Sequence, residues 1–144
     1  MDSPSEEHRR PEGVSDNTIE ALGVLSEAFE TAIAARGHLY QFHRLTGTSD
    51  ARLQDAVTLM RKAGHAEVAD VLDHHLVGRN VLEGRWTFQI VEEYDDTYHN
   101  LFRALEQQAR EDLADGRRHL KEARMKEESR TAGAPGHNAT PSDS

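Results

Sequence analysis

The chain has 144 residues, 36% of them hydrophobic and 30% charged, with no cysteine, which suits one domain and excludes disulfide folding and any Cys-based metal or nucleophile site. Its 26 acidic against 17 basic residues give a formal charge of −9, which disfavours binding to a phosphate backbone and so to nucleic acid in general. No stretch reaches the roughly 18–20 apolar residues of a membrane span, and the amino end lacks the apolar core of a secretory signal, so a soluble, cytoplasmic protein without membrane contact is expected.

The four prolines, Pro4, Pro11, Pro135 and Pro141, leave the interval between Glu12 and Ala134 free for long helices. Residues 1–16 and 129–144 carry too few apolar side chains to offset their ordering entropy and are expected to be disordered tails around a helical domain at 17–128. A first helix should start after Ser15–Asn17 and end at Gly47. Its inward row reads Leu22, Leu25, Phe29, Ala32, Arg36, Leu39, His43, spaced three and four apart. A second helix is expected from about Asp50 to Ala63, with Leu53, Ala56, Val57 and Met60 on one face and Gly64 as its stop. A third, from about Ala66 to Val77, gathers Val68, Val71, Leu72, His75 and Leu76 and stops at Gly78.

After a loop at 79–85, the longest element is expected to start near Trp86 or Thr87 and run toward Glu128. Its row is Phe88, Val91, Asp95, Tyr98, Phe102, Leu105, Ala109. Gly116 would bend or break it, and the β-propensity of Trp86–Val91 offers a short strand as a competing reading. The pattern as a whole gives an all-α fold, an antiparallel helical bundle of about four helices with a long C-terminal helix. Two short helices cannot cover a helix of that length, so a homodimer through the long C-terminal helix is expected.

The unusual composition lies in two places. All aromatic residues except Phe29 fall in 40–42 or 86–102, where a plain bundle would use leucine. Arg36, His43 and Asp95 occupy inward positions, and inward charges need partners. One reading is a buried network, Arg36 or His43 with Asp95, closed by tyrosine hydroxyls, that fixes helix register. A second is a small-molecule pocket walled by Tyr40, Phe42, Trp86, Phe88, Tyr94 and Tyr98, in which Arg36 or Arg85 holds an anionic group and His43 lies alongside. The third is a metal site. Glu92, Asp95, Asp96 and His99 share one helix face, and with His43 they could offer two imidazoles and a carboxylate to iron, zinc or manganese.

The Asp96-x-x-His99 pair is similar to the Glu-x-x-His pairs of four-helix di-iron proteins, but it is single and its acid is Asp. Gly37, inside a helix beside Arg36 and His38, is expected to mark a close backbone approach. No phosphate-binding glycine loop, serine-hydrolase elbow or His-Glu-x-x-His motif is present. The leading expectation is therefore a binding or interaction protein. The alternative is a metal-binding protein or metal-dependent oxidoreductase that uses His43, His99 and the carboxylates of 92–96.

Overall fold

A computed structural model describes residues 2–141 of the chain, and its fold is all-α. The helices are α1 (Asp16–Lys62), α2 (Ala66–His75), α3 (Thr87–Glu93), α4 (Asn100–Ala114) and α5 (Leu120–Ser129). A π-helical turn, Tyr94–His99, joins α3 to α4, and a 3₁₀ turn at Glu6–His8 precedes α1. The longest helix is thus the first. The long C-terminal helix of the sequence reading is divided into α3, the π turn, α4 and α5.

Both differences have local causes. Ser15 caps α1 through its Oγ, which accepts the Thr18 N–H at 3.1 Å. The stop expected at Gly47 does not occur. Thr46 and Thr48 donate back to the Phe42 and Arg44 carbonyls (2.7 and 3.1 Å), four residues earlier, and so leave the ladder intact. Asp50, which reads as a cap for a second helix, instead accepts the Gly78 N–H and the Gln54 side-chain amide, each at 2.9 Å. The stop is at Gly64, whose φ of 88° suits glycine, with the His65 N–H returning to the Met60 carbonyl at 2.8 Å. At the other end, the backbone leaves the helix through left-handed residues at Asp115, Gly116 and His119, so Gly116 sits in a break. The strand reading of 86–91 gives way to α3, where Gln89 Oε1 accepts the Trp86 N–H at 3.0 Å and starts the helix.

The chain divides into two compact units. One comprises residues up to Ala32 together with those from Asn100 onward. In it the first part of α1 pairs antiparallel with α4 and α5: Phe29 stacks on Phe102 at 5.3 Å, and Ser26 donates to Glu106 at 3.1 Å. The core is Ile19, Leu22, Ala114 and Leu120, with Val14 and Ala109 packed against it. Glu106 and Arg110, only 8% and 13% exposed in their side chains, form a two-bond pair of 2.8 and 3.1 Å. Arg110 also donates to the Gly116 carbonyl at 3.1 Å and so holds the turn after α4. The close approach expected at Gly37 is found at Gly23, where the Lys121 stem crosses; nothing lies within 4 Å of a Cβ position at Gly37.

The other unit is Ile33–His99. Here α2 folds back along α1, with Arg61 held by Asp70 at 2.6 Å and Asp73 at 3.5 Å, and Asp50 holding Gly78. The α3–π run lies along the preceding stretch of α1, where Arg36 meets Asp95 and His43 meets Thr87. Both partners therefore cover the same side of α1. The unit is two helices thick, and its buried residues are Val57, Ala69, Val91 and His99.

Candidate functional site

The candidate site residues singled out from the sequence all lie in the unit Ile33–His99, where three of them meet. Three- and four-residue spacing on α1 points Arg36 and His43 toward α3, and the same spacing from Val91 points Asp95 back toward α1. Arg36 grips Asp95 with two parallel bonds, Nε to Oδ1 at 2.6 Å and Nη2 to Oδ2 at 2.9 Å. One turn along α1, the Tyr40 hydroxyl donates to Asp95 Oδ2 at 2.9 Å and accepts from Arg36 Nη2 at 3.2 Å. The guanidinium carbon lies 4.9 Å from the centre of the Tyr40 ring, which adds a cation–π contact. The pair is half-buried, with 36% of the Arg36 side chain and 19% of the Asp95 side chain exposed.

This geometry fixes the charge state of Asp95. The Arg36 hydrogen bonds hold its carboxyl below the usual carboxylate range. Partial burial opposes that effect, while the Tyr40 hydroxyl and the charges of Arg36 and His99 reinforce it. Asp95 holds Arg36 protonated in return. A carboxylate this firmly ionised, with both oxygens occupied, is a poor proton carrier at neutral pH. The cluster positions α1 against the π turn.

The other residues are dispersed around it. His43 Nδ1 bonds Thr87 Oγ1 at 2.7 Å at the start of α3. Arg85 pairs with Glu93 at 3.1 Å on the surface. Trp86 and Phe88 pack edge to face at 5.3 Å, and Tyr94 and Tyr98 lie 5.4 Å apart; the cleft that Trp86 lines includes neither Tyr40 nor Phe42. Of the metal-site set, Asp95 is engaged with Arg36, His99 is buried, and Glu92 and Asp96 face outward. Among the described residues, no group of three or more His, Asp or Glu side chains is placed to hold a metal ion.

The π turn explains why Tyr98 is not in the interior. A π turn inserts one extra residue into the helical repeat, and within it the Thr97 hydroxyl donates to the Glu93 carbonyl. Beyond Asp95 the inward positions are His99, Phe102 and Glu106 rather than Tyr98, Phe102 and Leu105; Tyr98 is 52% exposed. Glu106, Arg110 and Ser26 form a second polar cluster that the uninterrupted spacing could not show. The only sequence signal for it is that Glu106 and Arg110 are four apart.

Three of the basic residues near the C-terminal end are occupied within the chain. Arg117 donates to the Glu6 and Arg9 carbonyls, Lys121 pairs with Glu20 and Glu27, and Arg124 pairs with Glu20. None of the described helices is long and apolar enough to cross a membrane. No protein-family model, curated protein or solved structure matches the chain.

Proposed function

We propose that this chain is a binding or interaction protein whose working form is a homodimer, in which a second copy covers the helix faces that one copy leaves bare. The observation that supports this reading is the surface of the unit Ile33–His99. A helix with an apolar stripe is stable when that stripe is packed against another element, and domains do this in two or more layers around a core. In this unit α2 and the α3–π run share one side of α1, and the remaining sides of all three are open. Phe42, Leu45 and Leu59 on α1 and Val68 and Val71 on α2 are 43–64% exposed. Counting the other half-exposed large side chains of the unit outside the loop at 76–86, the bare apolar surface is on the order of 1,000 Å². A standard-size interface uses about 800 Å² per partner.

A second copy is the partner that brings the same bare stripes. Two such hairpins placed face to face complete a four-helix arrangement with the short turns already present. In the other unit, α4 presents Leu101 and Leu105, one turn apart and both more than half exposed, which adds to the same demand. The firmly ionised Arg36–Asp95–Tyr40 cluster fits an interaction role as well, because it sets helix register without offering a reactive group.

Light scattering during gel filtration tests this directly. The expected mass is twice the 16.2 kDa of the chain. A mass near 16.2 kDa for the well-folded full chain at micromolar concentration would overturn the homodimer.

A further inference from the structure

Along the inward side of α1, α2 ends at His75 and α3 begins at Thr87, and the loop between them leaves part of α1 uncovered. A cleft of about 510 Å³ opens there, with Leu53 from α1 and Leu76, Val81 and Trp86 from the far side as its apolar lining. That volume is within the range of small-molecule sites, which join apolar walls to a few placed polar groups. The walls are held by built-in ties. Asp50 takes the Gly78 N–H on one oxygen and the Gln54 amide on the other, and the Arg85 N–H closes on the Leu82 carbonyl at 3.1 Å. Gly78 and Gly84 both have φ of 71°, a conformation that glycine adopts without strain, so the loop's course follows from its sequence.

The charged groups of the cleft differ in availability. Each oxygen of Asp50 already accepts a hydrogen bond from the chain. Arg79, also on the lining, makes one long bond of 3.5 Å to the His75 carbonyl, which leaves most of its donors for a ligand. The planar fork of a guanidinium matches a carboxylate, and an indole face is a natural support for a ring.

We propose that this cleft binds a small aromatic carboxylate, its ring against Trp86, Leu76 and Val81 and its carboxylate on Arg79. This site is separate from the Arg36–Asp95–Tyr40 cluster, and all titrations are made at one fixed protein concentration so that Trp86 emission is compared within a single association state.

Trp86 is the chain's single tryptophan, so intrinsic fluorescence reports on the site alone. The probes are 3-phenylpropanoate, its amide and 3-phenylpropylamine, which differ only in the head group. The carboxylate should shift Trp86 emission along a saturable curve with a Kd on the order of 1 mM, the scale for so small a molecule. The amide should bind roughly tenfold more weakly, the difference made by a charge-assisted hydrogen bond, and the amine more weakly still. Arg79→Gln should bring the carboxylate to the level of the amide, and Arg79→Lys should restore part of the preference, both with unchanged far-UV circular dichroism. The proposal is overturned by the absence of a saturable change in emission, by an amine that binds as well as the carboxylate, or by an Arg79→Gln protein that keeps the preference.

Discussion

Substituting alanine at three glycines of the same helix should have opposite effects, because only one of the three is crossed by another element. A Cβ at Gly23 would lie 2.1 Å from Lys121 Cδ, 2.7 Å from its Cβ and 2.9 Å from its Cγ. The outer carbons of Lys121 can swing away, at the cost of its bonds to Glu20 and Glu27. Its Cβ is fixed to the α5 backbone, so α5 itself must retreat by about 1 Å to reach ordinary contact. Overpacking of this kind costs about 1–3 kcal/mol, and the removal of a helical glycine returns about 0.5–1 kcal/mol. The net effect of Gly23→Ala is a loss of up to about 2.5 kcal/mol, centred on about 1 kcal/mol. Nothing lies within 4 Å of the corresponding positions at Gly37 and Gly47, and neither has a positive φ. Each should therefore gain about 0.5–1 kcal/mol as alanine. For a chain of this size 1 kcal/mol moves Tm by about 3–4 °C, so thermal unfolding followed by circular dichroism at fixed protein concentration separates the variants. A Gly23→Ala protein as stable as Gly37→Ala would refute the packing of α5 against α1.

Three further outcomes are expected. Asp95 is held below its ordinary range in the folded chain, so its contribution to stability is present above about pH 4 and is lost as the pH falls through the lower folded value. The stability gap between wild type and Asp95→Asn, measured by urea midpoints, should therefore narrow from about pH 6 to about pH 3, and a gap constant across that range would contradict the Arg36 pairing. Asp50→Ala should lower stability by about 1 kcal/mol, because the Gly78 N–H and the Gln54 amide lose their acceptor; an unchanged urea midpoint would show that the tie contributes nothing. Each copy carries a charge of −9, so salt should tighten the homodimer by screening, and Leu59→Glu with Val71→Glu should reduce the mass to that of one chain; dissociation on adding salt would indicate that ion pairs, not apolar faces, hold it.

The inward face of α1 could be read from the sequence almost residue by residue. Leu22, Leu25, Phe29, Ala32, Arg36, Leu39 and His43 are all buried or half-buried, and so are Leu53, Ala56, Val57 and Met60. The error lay in the punctuation. Gly47 and Asp50 look like a stop and a start, yet Thr46, Asp50 and Leu53 continue the three- and four-residue spacing through them without a break. Periodicity was the better guide there, because a glycine ends a helix only when the backbone takes a left-handed turn, and the threonines on either side keep it helical. Arg36 and Asp95 were legible as partners because the row on α1 is unbroken and Asp95 is only the second residue of the π turn, ahead of the shift that the turn imposes on Tyr98 and Leu105. Tyr98 and Leu105 were placed inward because a single inserted residue leaves no mark in composition, and both are apolar enough to suit the interior. The cleft at Trp86 depends on the path of the loop at 79–85, which side-chain periodicity does not describe.

The inserted residue also bears on the proposed homodimer. With unbroken spacing, α4 would turn Leu105 toward α1 and leave Glu106 in water. The observed register does the reverse: Glu106 is buried with Arg110 and Ser26, and Leu101 and Leu105 face outward. For an isolated chain this exchange is unfavourable. Burying a leucine stabilises by about 1.5–3 kcal/mol, whereas a buried ion pair adds little after its desolvation is counted. The same register becomes favourable if the outward leucines are covered as well, because the polar cluster then fixes one alignment of α4 on α1 while the leucines supply the apolar contact to a partner. Polar groups that specify register inside and apolar groups that face outside are an inefficient way to build a monomer and a consistent way to build half of a dimer.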